Sequence, residues 1–457
     1  MNKYDLVIRG GKVVRKSCVE KLDIGVVQGK IVELDVEIHG SYKQEINAFG
    51  KHILPGGYDC HVHFNDPGRT EWETIETGTK SLAAGGMTLF TDMPLNSIPL
   101  TLDGNSFEIK NKVAESNSYV DFSFWGGLTP DNIDSLDELA EKGVVGYKAF
   151  MCNSGIEEFR YVDEESLYKG LLIAEKHDLP VIIHAEDQEA ISKNMQGKKN
   201  SNNYSYKDFL NSRPQETEIE SVIKILEVLK STNAKVHIAH VSSPEVIKII
   251  KLAKQDGLRI TCETVPQYLM FDEDIFESLN GLVKSCPPIR DSKSKEKLWD
   301  NISTNEIDII SSDHSPSTKD LKTKNNFFDV WGGIAGCQST LNVLITEGHM
   351  KRDIPLEDLI RLVSYNPAKI FNIHEKGQIE IGYDADFSIV DIEKKFELKS
   401  EDLYYKNKIS PYVGMIFNGK VDKTFLRGEM IYCNGFFLGK PQGRLVKPKV
   451  GNRINMY

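Results

Sequence analysis

Between residues 58 and 313 the chain repeats one pattern: a short apolar run rich in β-branched residues, followed in most cases by a stretch of helical periodicity. Eight apolar runs recur, at 58–64, 87–93, 120–126, 144–150, 180–186, 235–241, 259–265 and 307–313. The intervening stretch 74–84 places Ile75, Leu82 and Ala83 on one face, and 163–177 does so with Leu167, Leu171, Leu172 and Ala174. Residues 216–231 align Ile219, Val222, Ile223, Leu226 and Leu229, and 244–255 align Val246, Ile249, Ile250 and Ala253. These spacings follow the 3.6-residue helical period. Eight strands alternating with helices predict an α/β fold, a closed (β/α)8 barrel of the TIM type.

The flanks read differently. Residues 1–51 are short β segments, at 4–9, 12–14, 24–27 and 30–34, separated by glycine-containing turns. A helix over 356–371 closes the barrel, and after Gly377 the β pattern returns at 386–390, 413–417 and 423–426. Neither flank is large enough to bury a core alone, so the two are expected to pair in one small β-sandwich. The expected division is a sandwich of 1–51 and 373–457 around a catalytic barrel of 52–372, which suits a chain of 457 residues. The polar stretch 193–207 reads as a mobile surface loop.

Composition narrows the partners. Asp and Glu number 67 against 56 Lys and Arg, a formal net charge of −11, which argues against nucleic acid and anionic membranes. No apolar run reaches transmembrane length. The N-terminus, Met1 to Asp5, lacks the basic and apolar regions of a signal peptide. Seven cysteines contain no CxxC pair, so a reducing, cytoplasmic setting is expected.

The chemistry gathers at strand ends. His61 and His63 fall two residues apart on the first run, and strand alternation puts both on one face. The fourth run carries Lys148 inside an apolar sequence, where a charge is costly unless paired or neutralised. The fifth carries His184, the sixth His237 and His240, and the eighth ends in Asp313. Each alone has an ordinary structural explanation: a hydrogen-bonded core histidine, or an aspartate capping a helix. Together, at the face where such barrels do their work, they form a catalytic constellation.

Imidazole and carboxylate ligands suit zinc, with cobalt, manganese and iron also open. The ligands suffice for two divalent ions. An ammonium cannot bridge cations, but a carbamate formed from CO₂ and the Lys148 amine is anionic and offers two oxygens. His237 has the opposite strand parity from His240 and is left out of the ligand set. His314 follows Asp313 as an outer neighbour, and His39, His52, His177, His349 and His374 read as structural or solvated.

These residues resemble the cyclic amidohydrolases: dihydroorotases, hydantoinases and allantoinases. Within that family the stretches 61–73, 93–97, 148–155, 312–316 and 331–336 are most similar to allantoinases. Dihydroorotases usually carry Arg where this chain has Asn65, and hydantoinases a Tyr where it has Asn153. One segment departs: Val265 and Gln267 stand where allantoinases usually have Cys and His. The resemblance implies a barrel with a sandwich built from both termini. It implies metal ligands His61, His63, carboxylated Lys148, His184, His240 and Asp313, and hydrolysis of allantoin to allantoate with Asp313 moving the proton. It also implies a homotetramer or homodimer. Asn96, Asn153, Ser154, Cys286 and Gly333 are the expected substrate contacts. The alternatives are a hydantoinase or dihydropyrimidinase, a dihydroorotase, or a non-enzymatic scaffold.

Overall fold

Eight parallel strands carry the site: Gly57–Val62, Met87–Asp92, Asp121–Phe124, Tyr147–Phe150, Pro180–His184, Lys235–Ile238, Ile260–Thr264 and Ile309–Ile310. The computed structural model describes residues 3–196 and 204–449. The ring closes where Val62 bridges His314 in parallel. The third strand is interrupted. Asp121–Phe124 pairs back to Met87–Asp92, and Gly126–Gly127 pairs forward to Tyr147–Phe150. Trp125 lies at the break, fully buried, its indole N–H donating to the Cys60 carbonyl at 2.9 Å. A Cβ on Gly127 would fall 2.4 Å from Leu102, so only glycine allows this approach.

The barrel helices form where the apolar periodicity placed them. Thr74 caps Ile75–Ala84 through a reciprocal box with Thr77, and Asp163 caps Glu164–Lys176. Gln215–Leu229 and Pro244–Gln255 follow, the latter opened by a proline whose missing N–H costs nothing in a first turn. Two expected core residues face solvent instead: Leu172 is 43% and Ile223 44% exposed. Each sits one position beyond a buried residue, Leu171 and Val222, and so about 100° further round the helix.

The expected helix over 356–371 is two helices, Leu356–Leu362 and Tyr365–Ile370. Pro367 would clash with the carbonyl four residues back in a continuous helix, but the third position of a new one tolerates it. The eighth run shrinks to Ile309–Ile310 because the chain turns out toward Asp313.

Strands from both flanks share one nine-stranded sheet. The seam is His52–Pro55, parallel to Tyr4–Val14 on one side and antiparallel to Phe387–Asp391 on the other. The stretch 413–417 does not join this sheet. Only Ile416–Phe417 is extended, and it pairs with Phe396–Glu397 in a separate ladder. Within 193–207, Lys193 and Asn194 end the helix Gln188–Asn194, and Tyr206 and Lys207 begin Tyr206–Ser212. The expected loop is therefore partly helical, and 197–203 lie outside the described residues.

Candidate active site

The first strand delivers His61 and the residue after it delivers His63, with ring centroids 5.5 Å apart. Both reach the same oxygen of Asp313: Nε2 of His61 at 3.3 Å and Nε2 of His63 at 3.4 Å. His240 packs against His61 at 5.3 Å and against His184 at 4.6 Å between centroids. All four histidines, Lys148 and Asp313 line a single cavity of about 350 Å³. Asn65, Asn96, His240 and Asp313 hold φ of 60°, 74°, 34° and 45° around this mouth. Left-handed backbone at a non-glycine costs about 1–3 kcal/mol and persists where the surroundings over-determine it.

Each imidazole has a carboxylate or amide behind it, or is stripped of water. His61 Nδ1 lies 2.5 Å from Glu263. His184 Nε2 lies 2.8 Å from Glu186, which accepts from Arg213 at 2.7 Å. His63 Nδ1 lies 3.3 Å from the Asn96 amide nitrogen, while Asn96 Oδ1 has no partner among the described residues. A half-turn of that amide lets Oδ1 accept from His63 Nδ1–H, leaving the Nε2 lone pair for an ion. Burial lowers the pKa of His63 and His184, and that of His240 well below the usual range. Burial alone would raise the Asp313 carboxyl, but His61, His63 and His240 hold it far below the usual range.

Lys148 is fully buried, and its side-chain nitrogen has no hydrogen-bond partner among the described residues. Burial pulls its pKa down to about 8. His61, His63 and Asp313 offer ligand atoms mutually within 4.8 Å, and the donor chemistry of the cluster suits a divalent metal ion.

The expected substrate contacts divide. Asn96 serves His63, as above. Ser154 donates its hydroxyl to the Phe159 carbonyl at 2.7 Å, and Gly333 N–H donates to the Lys284 carbonyl at 2.9 Å. Those groups are engaged within the protein. Asn153 and Cys286 line the cavity, Asn153 with its side-chain oxygen accepting from Gly155 N–H. Val265 and Gln267 are buried and are not among the residues that line the cavity. His237 stands outside the ligand set: Nε2 lies 3.4 Å from Glu263 and Nδ1 2.7 Å from Thr261 Oγ1. His314 is buried, accepts from Gly336 N–H and packs on Tyr405.

Four functional side chains escape sequence reasoning. Glu263 lies within the strand Ile260–Thr264 and Glu186 just after Pro180–His184, both as ordinary carboxylates, and Arg213 and Lys284 fall in loops. The available signal for Glu263 is a lone charge inside a short strand, on the opposite parity from its neighbours Cys262 and Thr264.

A parallel barrel with such a cluster at its strand ends is the architecture of a metal-dependent hydrolase. The amidohydrolase family pattern matches residues 52–431, and the chain belongs to that family. The chain is 45% identical over 448 residues to an allantoinase of Desulfitobacterium hafniense, covering 98% of this chain and 100% of that one. It is 44% identical over 445 residues to an allantoinase of Deinococcus radiodurans, covering 97% and 99%. Among solved structures it is similar to the L-hydantoinase (dihydropyrimidinase) of Arthrobacter aurescens, with a TM-score of 0.95 at 27% identity over 97% of this chain and 100% of that one. No helix among the described residues is long and apolar enough to cross a membrane.

Proposed function

We propose that this protein hydrolyses allantoin, opening its hydantoin ring to give allantoate. The observation that carries the reading is the convergence of His61, His63, Lys148, His184, His240 and Asp313 on one cavity. The two allantoinase relatives give the ring.

The orphaned Lys148 amine and the buried imidazoles of His63, His184 and His240, whose pKa values burial lowers, fit two divalent ions, with zinc proposed first and cobalt, manganese or iron also suited. In its neutral form Lys148 adds CO₂ through Nζ, losing a proton and gaining a carbamate that offers both oxygens. Bound ions supply a water of lowered pKa and polarise the ring carbonyl. Asp313 accepts the water proton on a carboxylate oxygen and delivers it to the leaving ring nitrogen. Glu263 and Glu186 hold His61 and His184 in one tautomer, so that neither ring must reorganise during the reaction. Asn153 and Cys286 are the proposed side-chain contacts to the ring, with the backbone beside Gly333.

The second reading is a hydantoinase or dihydropyrimidinase, favoured by the fold match to the Arthrobacter enzyme. Steady-state hydrolysis of allantoin, hydantoin, dihydrouracil and dihydroorotate by metal-reconstituted protein with bicarbonate separates these. Fast turnover of allantoin alone is the expected result. Preference for hydantoin or dihydrouracil moves the substrate, and no turnover with full metal content favours a scaffold. Also proposed are a sandwich of 1–51 and 373–457, with His52–Pro55 added by its pairing, and a cytoplasmic homodimer or homotetramer. Light scattering tests the last.

A further inference from the structure

Two lysines beside the cavity are buried, Lys284 in its lining and Lys322 next to it in the fold, and the mechanism above uses neither. Lys284 is 4% and Lys322 7% exposed. Among the described residues neither has a carboxylate partner. Their partners are backbone carbonyls of one segment. Lys284 Nζ donates to Phe327 at 2.8 Å, Phe328 at 3.0 Å and Val330 at 2.6 Å. Lys322 Nζ donates to Trp331 at 2.9 Å and to Gly333. The Phe209 and Phe327 rings flank the Lys284 nitrogen at 4.9 and 5.3 Å.

A buried amine without a counter-ion is an expensive way to fill space. An apolar side chain of the same length would pack there at lower cost. What the amines provide is direction: five carbonyls of residues 327–333 are turned onto the two nitrogens. Gly333 is pinned twice, since its N–H also donates to the Lys284 carbonyl at 2.9 Å. Trp331 N–H is taken by the Leu321 carbonyl at 2.9 Å. Within 331–333 that leaves Gly332, whose N–H and C=O have no partner among the described residues and which lines the cavity. A Cβ there would meet only Cys286 Sγ, at 3.5 Å, so the space before it is open.

We propose that Lys284 and Lys322 are positioning residues for substrate: they engage the neighbouring carbonyls and so hold the Gly332 N–H and C=O as the edge that pairs with a ring amide. A cyclic amide carries its N–H and C=O side by side, which matches one donor and one acceptor on a single residue. A wrong ring leaves that edge unpaired, which is how such a site discriminates. The inference rests on the cyclic-amide reading, though not on allantoin in particular.

The test is Lys322→Met and Lys284→Met in the metal-loaded protein, assayed on whichever ring the wild type opens fastest. Positioning predicts that KM rises about tenfold or more while kcat moves less than about threefold, with metal content unchanged. Hydrogen exchange over 327–333 should accelerate in both variants while exchange at the metal-bearing strands stays put. A KM within about twofold of wild type in a folded variant overturns the proposal, as does a fall in kcat alone. If neither variant folds, the wild type decides. Added 5,5-dimethylhydantoin, which keeps the amide edge, should slow exchange at 331–333, and no slowing overturns the proposal. A wild type that opens no ring sinks the functional reading instead, and the exchange experiment still tests the edge.

Discussion

His61 Nδ1 sits 2.5 Å from Glu263 Oε1, at the floor of the barrel beneath the cavity. The other oxygen of Glu263 lies 3.4 Å from both Cys60 Sγ and His237 Nε2, so the carboxylate is fixed from two sides. It is fully buried, and burial alone would raise it, but His61 and His237 hold it well below the usual range. An anion there keeps the His61 proton on Nδ1 and frees Nε2. Glu263→Gln keeps the shape and removes the charge. Divalent-metal affinity should fall about 10–100-fold, the usual cost of losing such a partner. Titration of metal-free protein with zinc checks this. Unchanged affinity would make Glu263 a mere space-filler.

Lys148 sets a pH dependence. Burial holds its pKa at about 8, so below that value most molecules carry the unreactive ammonium. Only the neutral amine adds CO₂. At fixed CO₂ pressure, the rate of activation of metal-stripped protein should rise about tenfold from pH 6 to pH 7 and level off above pH 8. Stopped assays after timed CO₂ exposure give the profile. A flat profile would mean that the free amine is not the limiting species.

Asp313, the proposed proton carrier, faces both His61 and His63. Asp313→Asn keeps the size and removes the proton acceptor. The expected loss is about 10²–10⁴-fold in kcat, the range for general acid–base groups, with smaller effect on KM. Metal content of the variant, measured alongside, separates proton transfer from ligand loss. Retained turnover would place the proton shuttle elsewhere.

The cluster proposed as ligands was legible as a group because strand chemistry is periodic. Parity put His61 and His63 on one face and His237 on the other, and an interrupted apolar run singled out Lys148. Residues that act through the backbone were not legible in this way. Lys322 ends the short helix Lys319–Lys322 and Lys284 follows Asn280–Val283, places where a lysine is ordinary, and only the fold turns five carbonyls onto them. Ser154 and Gly333, expected as substrate contacts from their motifs, line the cavity, and loop bonds that the motifs do not reveal engage the Ser154 hydroxyl and the Gly333 N–H. Helix and strand ends slipped where a single residue overrides the period. Pro367 divides one helix, and Trp125 divides one strand.

Gln267 shows the same limit in the other direction. Its place in a departing motif suggested an effect on the ring, but the side chain is 1% exposed and absent from the cavity lining. Neither amide atom has a partner among the described residues. A buried, unpaired amide costs about 1–3 kcal/mol. Gln267→Leu should therefore raise stability by about 1–2 kcal/mol in a denaturant titration and leave ring preference unchanged. A change in preference would show that the segment reaches the substrate indirectly.

The barrel and the two-ended sheet are tied by one buried charge cluster. Lys376 Nζ lies 2.5 Å from Asp121, 2.6 Å from Asp386 and 2.8 Å from Asp384. Asp121 belongs to the third barrel strand and the other two to the segment leading into Phe387–Asp391. Arg427 also pairs with Asp121, and Lys30 with Asp384 at 2.7 Å. Lys376 is buried too, yet these carboxylates keep it protonated far beyond the ordinary lysine range. Lys376→Met leaves carboxylates packed together without their shared cation. Breaking such a buried cluster from one side costs about 3–5 kcal/mol, because the remaining charges stay desolvated. Adding Asp386→Asn should recover part of that loss, since burial already raises Asp386 toward its neutral form. Urea midpoints of the single and double variants measure both steps. A single-variant loss below about 1 kcal/mol would mean that the carboxylates reach water without Lys376, and that the two halves are held by apolar packing alone.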